Sequence, residues 1–194
     1  MRRQTAISVL MTLLVAAGFW AGPSFAQDGT TGDCSGLNPN APPETAQFAF
    51  LIGEWDAAIF QRSPAGEIQS ATAIWRIFWI LNGYAIQDTW IVYPAYGGEP
   101  NYGTMFRTYD AELGHWVIVE QTTLELEFKQ MTAEQVGDTM VMTGEEETPR
   151  GRVLTRRVLH NIREDSFDWR FDLSYDGGET WEEGLYTMRV TRRR

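Results

Sequence analysis

The sequence predicts an all-β protein, an antiparallel up-and-down β-barrel of about ten strands with a short N-terminal helix. Three observations carry this. From Gly53 onward, runs of about 8 to 13 residues are rich in Trp, Tyr, Ile, Val, Thr and Phe, which suit pleated, half-buried surfaces. Turn chemistry separates these runs at intervals of about 12 to 17 residues, wider than a small sandwich uses. No amphipathic helical stretch of useful length interrupts them. Connections this short join antiparallel neighbours, because parallel pairing needs long crossovers. A long meander loses its two free edges by closing on itself.

The elements follow in order. Residues 1–26 read as a secretory signal, with Arg2 and Arg3 ahead of the apolar stretch Ile7 to Trp20 and the small-x-small site Ser24-Phe25-Ala26. The apolar run is short for a membrane span of about 20 residues, so cleavage before Gln27 is expected, leaving no transmembrane segment. Asp33 directly before Cys34 disfavours a lipoprotein anchor. The protein is therefore expected to be periplasmic or secreted. Residues 27–43 are rich in Gly, Asn and Pro and read as a flexible segment. Cys34 is the single cysteine, so no intrachain disulfide forms and packing must hold the fold. The barrel domain is expected over residues 44–194, with a short helix from Pro43 to Leu51 that turns Phe48, Phe50 and Leu51 toward one barrel end.

Turns punctuate the rest. Ser63-Pro64-Ala65-Gly66 is the first, and Asn82-Gly83 is the strongest hairpin signal, since both residues tolerate positive φ. Gly97 to Pro100, Asp110 to Gly114, Val136 to Asp138, Thr148 to Gly151, Arg163 to Ser166 and Asp176 to Gly178 follow, with a weaker break at Thr122-Thr123. Several strands carry aromatics on both faces. Trp75, Ile77 and Trp79 share one face, and Ile74, Arg76 and Phe78 the other. The inward face is therefore left open by the sequence.

Gly53-Glu54-Trp55 resembles the Gly-x-Trp signature of lipocalin and calycin barrels. The resemblance implies that Trp55 plugs the helix-capped end beneath an arginine of the last strand, with Arg189 the first match and Arg192 the second. Ser174-Tyr175-Asp176-Gly177-Gly178-Glu179-Thr180-Trp181 matches the Asp-box pattern of sialidase propellers. A propeller needs several copies and a longer chain, so the single copy implies a hairpin staple here. The stretch from Phe48 to about Arg192 also resembles a bacterial, lipocalin-like domain family of unknown function. The pieces that carry this are Phe50 to Trp55, Ile80 to Gly83 with Ile86-Gln87-Asp88, Phe106 to Asp110 before Trp116, and Ser166 to Trp169. This resemblance implies a calycin-like barrel and no particular activity.

The formal charge is −10, and loss of Arg2 and Arg3 with the signal makes it −12. So acidic a chain is repelled by nucleic acid and by anionic lipid, and no nucleic-acid partner is expected. Arg150, Arg152, Arg156 and Arg157 read as a solvated or ion-paired strand. Glu145-Glu146-Glu147 reads as a solvated edge or loop that could collect calcium weakly. The two histidines, His115 and His160, have no metal-ligand spacing, and no phosphate loop, nucleophile elbow or dinucleotide fingerprint is present. Neither catalytic residues, a metal site nor a cofactor are expected.

A barrel of about ten strands is wide enough to enclose one small ligand, so a small apolar molecule is the expected partner. Trp75, Trp79, Trp90, Phe106, Trp116 and Trp169 are the candidate lining residues, and Gln87, Arg107, Glu120 and Arg170 the candidate polar anchors. An inward Arg107 or Arg170 would suit an anionic head group. Three other readings remain. A structural or protein-binding envelope domain predicts an exposed apolar patch. A haem protein resembling nitrobindin-type barrels requires His160 inside the barrel. An isomerase- or lyase-type barrel would use a buried carboxylate such as Glu120 beside an arginine.

Overall fold

A computed structural model describes residues 36–194 except 64–65, 95–97 and 149–150. The signal segment, its cleavage point, Cys34 and Arg150 lie outside the described residues. Of the expected flexible segment, the described part is tied down. The Asn38 backbone N–H donates to the Gly83 carbonyl at 3.2 Å, and its side-chain amide donates to the Asn82 carbonyl at 2.9 Å.

Ten strands follow a nine-residue 3-10 helix, Pro43–Leu51. They are β1 (Gly53–Arg62), β2 (Ile68–Ile80), β3 (Ala85–Pro94), β4 (Asn101–Asp110), β5 (His115–Thr122), β6 (Lys129–Val136), β7 (Thr139–Thr148), β8 (Gly151–His160), β9 (Ser166–Ser174) and β10 (Glu182–Arg192). Each pairs antiparallel with its sequence neighbour, and β1 pairs with β10, so the meander closes into a barrel. The expected fold is the observed one. Closure leaves no free edge, and the break at Thr122-Thr123 is real, since β5 ends at Thr122.

The β2–β3 turn differs in detail from a two-residue hairpin. Leu81, Asn82 and Gly83 all hold positive φ and form one 3-10 turn. Gly83 is buried there against the backbone of 36–38, where any Cβ would lie 2.3 Å from the Gly36 carbonyl oxygen. Only glycine admits that approach.

The helix caps one barrel end. Phe48 and Leu51 are fully buried, and the Phe48 ring meets Trp116 edge-on at 4.8 Å. Trp55 is fully buried too, packs edge-on against Phe167 at 5.1 Å, and donates its indole N–H to the Leu51 carbonyl at 2.7 Å. Burying each such ring contributes about 1.5–3 kcal/mol. The arginine over Trp55 is Arg192, not Arg189. Its guanidinium lies 4.1 Å from the ring centroid, whereas Arg189 reaches out to Asp168. The reason is the two-residue strand period. Arg192 stands opposite Trp55 in the β1–β10 register, and Arg189, three residues earlier, falls on the outer face.

At the other end, the β9–β10 turn is stapled by side chains. The Asp176 carboxylate accepts from the Ser174 hydroxyl, the Thr180 hydroxyl and the Thr180 N–H, while Ser174 Oγ accepts from the Gly178 N–H. These donors, Thr180 foremost, lower the Asp176 pKa to about 2. Trp181 follows the turn, with the Arg156 guanidinium 4.2 Å above its ring.

Candidate functional site

Registers and burial fix which side of each strand faces the lumen. Trp55, Trp75, Trp90, Met105, Arg107, Trp116, Glu120, Arg157 and Trp169 all point inward. Trp79 is on the same face of β2 as Trp75 and is buried. Gln87, Phe106 and Arg170 occupy the opposite parity and lie on the outer wall, so they take no part in a lumenal site. Gln87 and Phe106 are cross-strand partners there. The Gln87 amide donates to Thr104, and the Phe106 ring is 41% exposed. Arg170 pairs with Asp172 and Glu183 outside the barrel.

The lumen has three levels. The capped end is the packed aromatic plug of Phe48, Trp55, Trp116 and Phe167. Trp116 is held by its N–H donating to Gln47 Oε1 at 2.9 Å, which makes it part of the plug rather than of an open surface.

The middle level is an ion pair with no solvent exposure. Arg107 donates two N–H groups to Asp88, at 2.5 Å and 3.0 Å, and the Trp75 indole N–H donates to the same carboxylate at 2.8 Å. Both charged side chains are 0% exposed. The Arg107 guanidinium also lies 5.3 Å from the centroid of the Phe48 ring, which ties this level to the cap. Burial raises the Asp88 pKa above the ordinary carboxylate value. Arg107 and the Trp75 N–H oppose that rise, and the charge of Glu120 adds to it.

The third level opens toward the end opposite the helix. Arg157 holds Glu120 by two N–H bonds of 2.7 Å and 3.0 Å and also approaches the Met131 sulfur at 2.9 Å. Glu146 lies 3.9 Å from Arg157 and 3.1 Å from Lys129, and Lys129 is also paired with Glu125. Beside these charges, where Phe171 is the cross-strand partner of Arg157, and around the rest of the lumen, Ile59, Trp90, Val92, Trp169, Phe171 and Met188 are inward-facing yet only half-buried. Trp90 owes its position to Gly103, its direct cross-strand partner. A Cβ on Gly103 would fall 2.1 Å from the indole, so the ring lies flat where a side chain would stand.

This level is an amphiphilic cup. Charged side chains of β5–β8 form one wall, and apolar side chains of β1, β3, β9 and β10 form the other. An inward side chain of a closed barrel meets water where the lumen is unfilled or opens at its rim, so their partial exposure marks a lumenal surface that solvent reaches at this end. Two recesses are also present, the first sharing Lys129, Met131 and Glu146 with the charged wall of the cup and the second lying in the outer wall. One, of about 930 Å³, lies between residues 125–128 and β5–β7. The other, of about 570 Å³, crosses β1, β2 and β10. Both are open to solvent.

Sequence reasoning missed Asp88, Arg157 and Phe171. Asp88 sits at the same parity as Ile86 and Trp90, and an acid inside an otherwise apolar face was the available signal. His115 and His160 take outward positions beside the inward Trp116 and Leu159. The lumenal histidine that a haem reading needs is therefore lacking from β5 and β8. Among the described residues, no cluster of His, Cys, Asp or Glu is arranged for a metal ion, and no helix is long and apolar enough to cross a membrane.

No protein-family model matches the chain, and no curated protein matches it. Solved structures do. The crystal structure of Rv2717c from M. tuberculosis is 12% identical, with a TM-score of 0.54, over 80% of this chain and 100% of that one. The S-type phycobiliprotein lyase CPES from Guillardia theta is 10% identical, with a TM-score of 0.53, over 76% of this chain and 90% of that one. At such identities the likeness shows the fold alone, a closed antiparallel β-barrel.

Proposed function

We propose that this protein is an exported, lipocalin-like barrel that binds a small, mainly apolar molecule in the cup at the open end of its lumen. One observation carries the reading. Trp90, Trp169 and Phe171 face into a closed barrel and remain half-buried, although aromatic side chains of this size are normally packed away. A mainly apolar surface with a few placed polar groups is the usual character of a small-molecule site. Native mass spectrometry of the exported protein, combined with quenching of Trp90 and Trp169 fluorescence by added apolar compounds, tests it. A bound mass lost on denaturation, or saturable quenching abolished by Trp90→Ala with Trp169→Ala, supports the reading. Exported protein with neither removes it.

A second reading has its own observation. Phe78 and Phe106 flank Gln87 across the outer face of β2–β4, each 41% exposed, and Leu124, Leu126 and Phe128 are 77%, 79% and 65% exposed beside the open rim. Apolar groups placed together on a wall mark a protein-contact surface. A Phe78→Ser, Phe106→Ser variant that shifts the oligomeric mass of the protein favours this reading.

A further inference from the structure

The geometry points to an uncharged head group on the ligand of this cup, and to the exclusion of carboxylates. This rests on the cup being a binding site. An anionic ligand needs an accessible cation whose charge is not already matched, and among the described residues the cup provides none; the one unpartnered arginine donor, Arg107 Nε, is sealed away from it. Arg107 is sealed against Asp88, with both side chains at 0% exposure. Arg157 gives both terminal nitrogens to Glu120, and the two side chains are 9% and 11% exposed. The remaining cation, Lys129, is shared between Glu125 and Glu146.

The charges therefore alternate from the Asp88 level to the rim and cancel pair by pair, with Glu125 left as an additional negative charge. A carboxylate entering the cup gives up its hydration and meets carboxylates already paired with Arg107 and Arg157. An ammonium also gives up its hydration, and Asp88 and Glu120, the carboxylates beside the apolar surface, are already paired. A hydroxyl or amide does not. Glu120 oxygens keep lone pairs beyond the Arg157 bonds and can accept its hydrogen, while the apolar body lies against Trp90, Trp169 and Met188.

The test uses three probes with one alkyl chain, 1-decanol, decanoate and decylamine, titrated against tryptophan fluorescence below their aggregation thresholds at about pH 8, where decanoate is ionised. Decanol is expected to bind at least about tenfold tighter than either ion. Decanoate binding as tightly as decanol, or more tightly, overturns the inference while leaving the cup a binding site. Failure of all three to bind removes the binding reading itself and the inference with it. Glu120→Gln gives a second measurement. It withdraws one carboxylate and leaves Arg157 available, so the variant is expected to gain decanoate binding by at least about tenfold. A folded Glu120→Gln protein with unchanged decanoate affinity counts against the proposal.

Discussion

Arg192 lies over the Trp55 ring at 4.1 Å and, in the same pose, donates to the Ile52 carbonyl at 2.9 Å and the Glu164 carbonyl at 3.0 Å. One side chain from the last strand thus locks the first strand, the residue after the helix and the β8–β9 loop.

The first prediction follows from that convergence. Arg192→Ala loses a cation–π contact and leaves carbonyls without their donor, at a cost of about 2 kcal/mol. Arg189→Ala should change stability by less than about 0.5 kcal/mol, since its pair with Asp168 spans 3.8 Å and its side chain is 78% exposed. Urea denaturation of the two variants side by side checks this. Equal losses would mean that the contact over Trp55 contributes nothing particular.

Asp88 and Arg107 carry the second. Arg107→Met leaves a buried carboxylate with only the Trp75 N–H, and should cost about 3–5 kcal/mol. Asp88→Asn with Arg107→Met removes both charges and should recover most of that loss. Chemical denaturation of the single and double variants forms the cycle. A double variant as unstable as the single one would show that the pair's shape, rather than its charge balance, matters.

The same pair explains what was legible. Strand number and turn positions followed from Gly, Asn and Asp spacing, because backbone turns depend on local residue chemistry, whereas full closure was not legible there and was expected only from the two free edges of an open meander. Side-chain direction did not. On β4 the apolar Phe106 points to water and Arg107 points inward, the reverse of a hydrophobic reading. Arg107 is stable there only because Asp88 arrives from β3, and that pairing is a register fact absent from either strand alone. The basic run on β8 divided similarly. Arg156 joins Asp172 and Glu183 outside, while Arg157 joins Glu120 inside.

Gly103 gives a third prediction. A methyl group at this position would collide with the indole of Trp90, so Gly103→Ala must displace the ring into the cup. The cost is about 1–3 kcal/mol. The emission maximum of Trp90, read in a variant retaining it as the reporter, should shift along with thermal stability. An unaltered spectrum at full stability would place the ring elsewhere.

The fourth prediction concerns acid. Asp176 has its pKa lowered to about 2 by the Thr180 hydroxyl and N–H and the Ser174 hydroxyl. A carboxyl whose folded pKa is depressed contributes stability that is complete above its unfolded value, about 3.9. That contribution declines as pH falls below the unfolded value and is lost through about 2. The β9–β10 turn should therefore loosen within this window. Amide exchange at Gly178 and Thr180, whose N–H groups are bonded inside the turn, should accelerate there. Asp176→Asn removes the titrating group, so exchange at both amides should lose its pH dependence across the same interval, once intrinsic exchange rates are divided out. A carboxyl titrating in the folded protein near 3.9 would mean that the turn's donors do not hold Asp176 in solution.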